Sequence, residues 1–215
     1  PMGFIKFDIL GLSTLRMIED CISKILRRHH GIENPNFAQI KEFYDNNLHP
    51  DRLDLHDQTV YENIFEKGQW VGIFQFTEEG AQKLAQRTQP KSIVDISAIT
   101  SIYRPGPLSA GVDKAYIKAV QDPDSVDYLN ETVREVTEET HGFLIFQEQI
   151  ARLAYELGDD ITMDEANLLR KILTKKGAGK GHEVKDAIYK KFIRGCVQKD
   201  INRHSAQELW QTFEY

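Results

Sequence analysis

Cysteine is nearly absent from this 215-residue sequence: Cys21 and Cys196 stand at opposite ends and show neither metal nor redox spacing. They read as two free thiols in a reducing cytoplasm. No apolar run approaches a membrane span, and nothing resembles a signal peptide. Internal repeats and low-complexity segments are also missing. His29, His30, His49 and His56, with Asp51 and Asp54, have no H-x-x-x-H spacing and no cysteine partner, so they read as solvated loop residues. The glycine- and lysine-rich stretch Lys175-Lys176-Gly177-Ala178-Gly179-Lys180-Gly181 lacks the Walker A pattern, which leaves a flexible basic loop suited to a phosphate backbone. What remains, 40% hydrophobic and 28% charged residues, is the balance of a globular chain long enough for one large or two small domains.

Charge is unevenly placed. The formal net charge of −6 argues against a nucleic-acid partner, yet residues 170–194 hold nine basic side chains against Glu183 and Asp186. That segment is +7 and the remainder −13. Such asymmetry marks either a local phosphate-binding surface on an acidic protein or a solvated helical face.

Residues 4–9 alternate as a strand, with Ile5, Phe7 and Ile9 on one face and Phe4, Lys6 and Asp8 on the other. Two residues along a strand span roughly 7 Å, so Lys6 and Asp8 stand side by side. A carboxylate that can hold Mg²⁺ beside an ammonium that can neutralise a phosphate suits phosphoryl chemistry. The alternative is an edge strand with two solvated charges. Gly11 then permits a sharp exit, and Ser13 or Thr14 is placed to cap a helix carrying Leu15, Ile18, Ile22, Ile25 and Leu26, closed by Gly31.

Further helices are expected over a short piece at 39–44, and over 58–67, 78–87, 92–102, 109–120, 147–157, 162–174, 183–198 and 204–215. Residues 70–76 read as a short buried strand or extended run, and 141–146 as a buried apolar run. Tyr103-Arg104-Pro105-Gly106-Pro107 reads as a stiff loop presenting Tyr103 for stacking and Arg104 for phosphate, or else as an ordinary inter-helix turn. Thr162-Met163-Asp164-Glu165 fits a capping box. Both ends of the chain, the last with Leu209, Trp210 and Phe213, read as cut from something larger. The fold class is mainly α with a few short strands (α+β).

In this order, Lys6-Phe7-Asp8-Ile9-Leu10-Gly11-Leu12, Val71-Gly72-Ile73-Phe74-Gln75, Tyr103-Arg104-Pro105-Gly106-Pro107-Leu108, His141-Gly142 running to Gln147-Glu148-Gln149, and Leu168-Leu169-Arg170-Lys171 with Lys175-Lys176 resemble the C family of bacterial replicative DNA polymerases, the alpha subunit of DNA polymerase III. The resemblance extends along essentially the whole chain. It implies that residues 1–12 are the last strand of a palm and residues 13–215 a helical fingers domain, incomplete at its C-terminal end and attached to the edge of that palm.

The implied activity is DNA-directed DNA polymerisation, a nucleotidyl transfer to the primer 3′-OH that uses two Mg²⁺ ions. Asp8 corresponds to one of three metal-binding palm carboxylates, and Lys6 to the lysine that meets the incoming triphosphate. Arg170 and Lys171 correspond to a basic pair on the same triphosphate. The family usually has two arginines there, so Lys171 keeps the charge and loses the bidentate fork. Tyr103 and Arg104, with Lys175 and Lys176, are implied near the DNA or nascent pair. The implied partners are primer-template DNA, dNTP, the remaining palm and thumb, and, through segments beyond those matched here, the sliding clamp and other replisome subunits. The implied location is the cytoplasm of a bacterium, or of the host for a phage protein. One carboxylate cannot hold two divalent ions, so this segment alone is expected to be inactive. The rival readings are a non-catalytic helical nucleic-acid-binding module using the basic 170–194 segment, and a purely structural helical scaffold.

Overall fold

In the computed structural model of the chain, residues 7, 9–174 and 181–214 are described. They are mainly helical, as expected, and no strand occurs among them. Of the strand expected over 4–9, only Phe7 and Ile9 are described; both are exposed and outside any regular element. No described helix is long and apolar enough to cross a membrane. The chain divides into two compact units, Pro1–Asp57 with Val71–Phe74, and Gln58–Trp70 with Gln75–Tyr215.

In the first unit, helix α1 (Ser13–His30) packs on α2 (Phe37–Asn47). The expected Ser13 or Thr14 cap does not form: Leu12 holds the cap position, and no side chain caps the helix. Only Ile22 and Leu26 of the apolar stripe are buried. Gly31, at φ 69°, ends α1 in the left-handed conformation that a β-carbon would strain, and four basic residues face the negative end of the helix dipole. The α2 helix starts with a reciprocal cap, Asn36 accepting from the Gln39 backbone N–H and Gln39 from that of Asn36.

The second unit begins with α3 (Gln58–Val60), which runs into a π-helical turn, Tyr61–Glu66. Tyr61 and Phe65 are buried, and Val60 is exposed. The run 70–76 is not a strand. Gly72 at φ 79° and Gln75 at φ 64° break the extended path, so Val71 and Phe74 are exposed. The flanking Trp70 and Phe76 stack at 5.7 Å, with Phe65 edge-on to both.

Helix α4 (Glu79–Thr88) packs on α5 (Ile93–Ile102) and on α7 (Val112–Gln121), and a one-turn α6 (Pro105–Ser109) packs on α7. Ser92 caps α5 by accepting from the Asp95 N–H. A helix not anticipated from sequence, α8 (Glu131–Thr137), is capped by Asn130.

The main core forms where α9 (Gln147–Leu157) packs between α8 and α10 (Met163–Thr174), with α11 (His182–Gln198) and α12 (Arg203–Gln211) closing it. Leu153, Leu157, Leu169 and Phe192 are wholly buried at its centre. Trp210 and Phe213 meet Phe192 at ring distances of 5.3 and 5.4 Å, so the aromatic C-terminal helix completes this core. Gly195 of α11 lies directly on the backbone that ends α9; a β-carbon there would stand 2.2 Å from the Leu157 carbonyl oxygen. Residues 143–146, expected to be buried, are half-buried.

Candidate functional site

Helix α10 carries the basic pair, and hydrogen bonds fix its first turn. Its first turn is the expected capping box: the Thr162 N–H donates to the Glu165 carboxylate at 2.9 Å, and the Glu165 N–H to the Thr162 hydroxyl at 3.2 Å. The other Glu165 oxygen accepts from Lys191 of α11 at 2.8 Å, and Lys191 also donates to the Asp160 carbonyl at 2.7 Å. The Lys191 hydrogen bond, then the Thr162 backbone bond, hold the Glu165 carboxyl below its ordinary value. Ala166 and Leu169 are buried on the core side.

Arg170, one position further round, is consequently half-buried, and Lys171 is exposed. The Arg170 guanidinium donates to Glu148 in the first turn of α9 at 3.2 Å. The structure thus joins two stretches that are far apart in sequence, Gln147-Glu148-Gln149 and Leu168-Leu169-Arg170-Lys171.

Glu148 received no role in the reading of the sequence, and neither did Gln149. Yet Gln149 is buried, and its amide organises the turn before α9. Its oxygen accepts from the Ile145 and Phe146 N–H groups, each at 2.9 Å. Its nitrogen donates to the Val136 carbonyl at 3.1 Å and to the Thr140 hydroxyl at 2.7 Å. The amide orientation follows from chemistry, because backbone N–H groups can only donate and the Val136 carbonyl can only accept. A sequence signal existed: Gln149 lies four residues before Leu153, on the buried face of α9, where an unpaired polar group is costly.

Tyr103 and Arg104 sit at the end of α5. The expected stiff loop is instead a tight link, with Arg104 at the cap position and Pro105 opening α6. The Tyr103 hydroxyl donates to Glu78 at 3.2 Å. Its ring covers Gly80, where a β-carbon would approach the hydroxyl to 2.3 Å. Partial burial, then the Glu78 carboxylate, raise the phenol above its ordinary value. Tyr103 and the exposed Arg104 line a cavity of about 520 Å³ with Phe76 and Glu78. These two residues share one site, whereas Arg170 and Lys171 stand on a helix packed against α9 and α11.

The basic segment is not one uniform surface. Besides Arg170, Lys191 is tied to Glu165, and Arg194 to Asp159. Those two cations serve as links between α11 and the region joining α9 to α10. Lys6, Asp8, Lys175 and Lys176 lie outside the described residues. Among the described residues no group of three or more His, Cys, Asp or Glu could hold a metal ion.

The profile of the bacterial DNA polymerase III alpha subunit finger domain matches residues 14–200. The chain is 32% identical over 213 residues to the DNA polymerase III subunit alpha of Aquifex aeolicus (strain VF5), a match covering 99% of this chain and 16% of that protein. It is 36% identical over 210 residues to the subunit of the same name from Rickettsia conorii, covering 98% and 16%. To that of Campylobacter jejuni it is 30% identical over 210 residues, again covering 98% and 16%. The chain therefore spans about 16% of the length of these curated relatives.

Proposed function

Because this chain belongs to the family of bacterial DNA polymerase III alpha-subunit finger domains, we propose that it works as the fingers of a DNA-directed DNA polymerase, with its first dozen residues completing the palm. The observation that carries the reading is the family match over residues 14–200, which runs from the second residue of α1 through all of α11. Template-directed nucleotidyl transfer is mainly positioning and charge neutralisation, and the residues proposed for it are of those kinds.

In this reading Arg170 and Lys171 meet the incoming triphosphate. Arg170 supports it physically, since its guanidinium is held on a packed helix with a carboxylate partner that a phosphate can replace. Lys171 adds an exposed point charge one position further round. Lys6 neutralises the same triphosphate, and Tyr103 and Arg104 lie against the DNA or nascent pair, with Lys175 and Lys176 on its backbone.

Asp8 is proposed as a Mg²⁺ ligand. Two such ions, when bound, would activate the primer 3′-hydroxyl and neutralise charge on the triphosphate and departing pyrophosphate. The described residues hold no group of ligands for them. The remaining carboxylates are therefore assigned to other parts of the full-length protein, and the chain alone is expected to be inactive. Its proposed partners are primer-template DNA, dNTP, the rest of the palm and the thumb, the sliding clamp and other replisome subunits, in a bacterial cytoplasm or a phage-infected host.

Primer extension by this chain mixed with a polypeptide supplying the remaining palm and thumb tests the reading. Extension should require both pieces and disappear with Asp8→Asn. Failure to extend, with salt-sensitive DNA binding by this chain alone, would instead support a non-catalytic nucleic-acid-binding module.

A further inference from the structure

A second cavity, of about 640 Å³, opens in the helical unit where the end of α4 and the start of α5 meet α7 and His141. Its size is that of a small-molecule site, roughly 300–1,000 Å³. None of Tyr103, Arg104, Arg170 and Lys171 lines it.

At its wall stands Tyr116, only 1% exposed. Its ring is fixed by edge contacts to His141 at 5.5 Å and Phe143 at 5.7 Å. The Tyr116 hydroxyl is buried and has no hydrogen-bond partner among the described residues. Among the described residues, none of the hydrogen bonds of its polar neighbours reaches the Tyr116 hydroxyl. Thr88 donates to the Leu84 carbonyl, Gln121 to the Arg87 carbonyl, and Asp95 accepts from the Lys91 N–H. A buried phenol left in this way is costly, and such groups in native proteins call for an explanation. Burial, and after it the charge of Asp95, push this phenol well above its ordinary value, so at neutral pH it is a donor awaiting an acceptor.

The rest of the wall narrows the class of ligand. The mouth carries the exposed cations Arg87 and Lys91 against one half-buried acid, Asp95, which favours an anion. Gln86 and Gln89, both exposed, add amides that can donate and accept. A buried donor, mixed amide groups and cations at the rim match a heterocycle bearing a phosphate.

We infer that this cavity binds a nucleotide, either free or as one residue of a single strand, with Tyr116 donating to the heterocycle and Arg87 and Lys91 meeting the phosphate. This site requires neither Asp8 nor the Arg170–Lys171 pair, so its test is separate from primer extension.

The test is calorimetric titration of the full 215-residue chain with dAMP, deoxyadenosine, inorganic phosphate and a ten-nucleotide single strand, repeated on two variants. Tyr116→Phe deletes only a hydroxyl that has no internal partner, so its unliganded thermal midpoint should equal or exceed the parent's, while its dAMP affinity falls about tenfold. The double variant Arg87→Gln, Lys91→Gln should weaken dAMP and leave deoxyadenosine unchanged. Tighter binding of the strand than of dAMP would make the strand the natural source, and equal or weaker binding the free nucleotide. The inference is overturned by absence of saturable binding to both dAMP and the strand, by phosphate binding as tightly as dAMP, or by unchanged dAMP affinity in Tyr116→Phe. A lowered midpoint in that variant overturns it as well, since the hydroxyl would then have a structural role.

Discussion

Replacing Gln149 tests how the turn before α9 is held. Its amide makes four hydrogen bonds, two accepted from the Ile145 and Phe146 N–H groups and two donated to Val136 and Thr140. Gln149→Leu keeps about the same volume, so cavity formation contributes little and the hydrogen bonds decide the cost. A neutral hydrogen bond contributes about 1 kcal/mol net, and a buried group left unpaired costs about 1–3 kcal/mol. Thr140 keeps other acceptors, the carbonyls of Thr137 and Phe143, so its loss is small. The Ile145 and Phe146 N–H groups are half-shielded and regain some water. The expected destabilisation is therefore about 3–5 kcal/mol, a large share of a typical domain's stability. Gln149→Glu is the informative companion. A carboxylate can still accept from both N–H groups but cannot donate to the Val136 carbonyl, so below neutrality, where it protonates, part of the loss should return. Urea denaturation followed by circular dichroism measures both. A loss under about 1 kcal/mol for Gln149→Leu, at unchanged m-value, would refute the account.

Other substitutions probe separate links. In Gly195→Ala the new β-carbon would stand 2.2–2.4 Å from three backbone atoms of residues 157–159, none of which can swing aside. Helix propensity favours the alanine by about 1 kcal/mol, but overpacking of about 1–3 kcal/mol or more opposes it, so the urea midpoint should fall. A rise would mean that α9 and α11 shift apart freely. The depressed carboxyl of Glu165 stabilises the fold fully above its unfolded value, about 4.3, and this contribution is lost as pH falls through the lower folded value. Glu165→Gln should accordingly flatten the acid limb of a stability–pH curve, and an unchanged limb would count against the Lys191 link. Burial pushes the Cys196 thiol up to about 12, while Cys21 is exposed. A chromogenic disulfide at pH 8 should thus titrate one fast thiol in the native chain and a second only after unfolding.

What the sequence made legible was local. Periodicity and caps located most helices, because Ser92, Thr162 and Gly31 act within a turn of their own position. It failed where a long-range partner decides the outcome. The apolar run at 70–76 has the composition of a strand, but no strand to pair with it occurs among the described residues, and the left-handed Gly72 and Gln75 break it into bends. Helix α8 lacked a long apolar stripe and is held by its Asn130 cap and by packing on α9. At the candidate site the resemblance gave Arg170 and Lys171 a role, whereas it gave none to Glu148 and Gln149. Their roles exist only once α9 and α10 lie side by side.

That adjacency bears on how Arg170 is held. The Arg170–Glu148 pair is asymmetric: the Glu148 side chain is 76% exposed, and ion pairs with an open member contribute little to stability. The position of Arg170 is set instead by its neighbours in the helix. Leu169 is wholly buried in the core, and Glu165, one turn earlier, is hydrogen-bonded to both Thr162 and Lys191. In the proposed function, a carboxylate that is cheap to displace on a helix that is costly to move would let the guanidinium exchange Glu148 for a phosphate without repacking α10. The Gln149 amide does the matching task on the other side, because it fixes the first turn of α9 and hence the place from which Glu148 reaches. Packing and buried amide hydrogen bonds therefore position this charge, and the ion pair itself only occupies it.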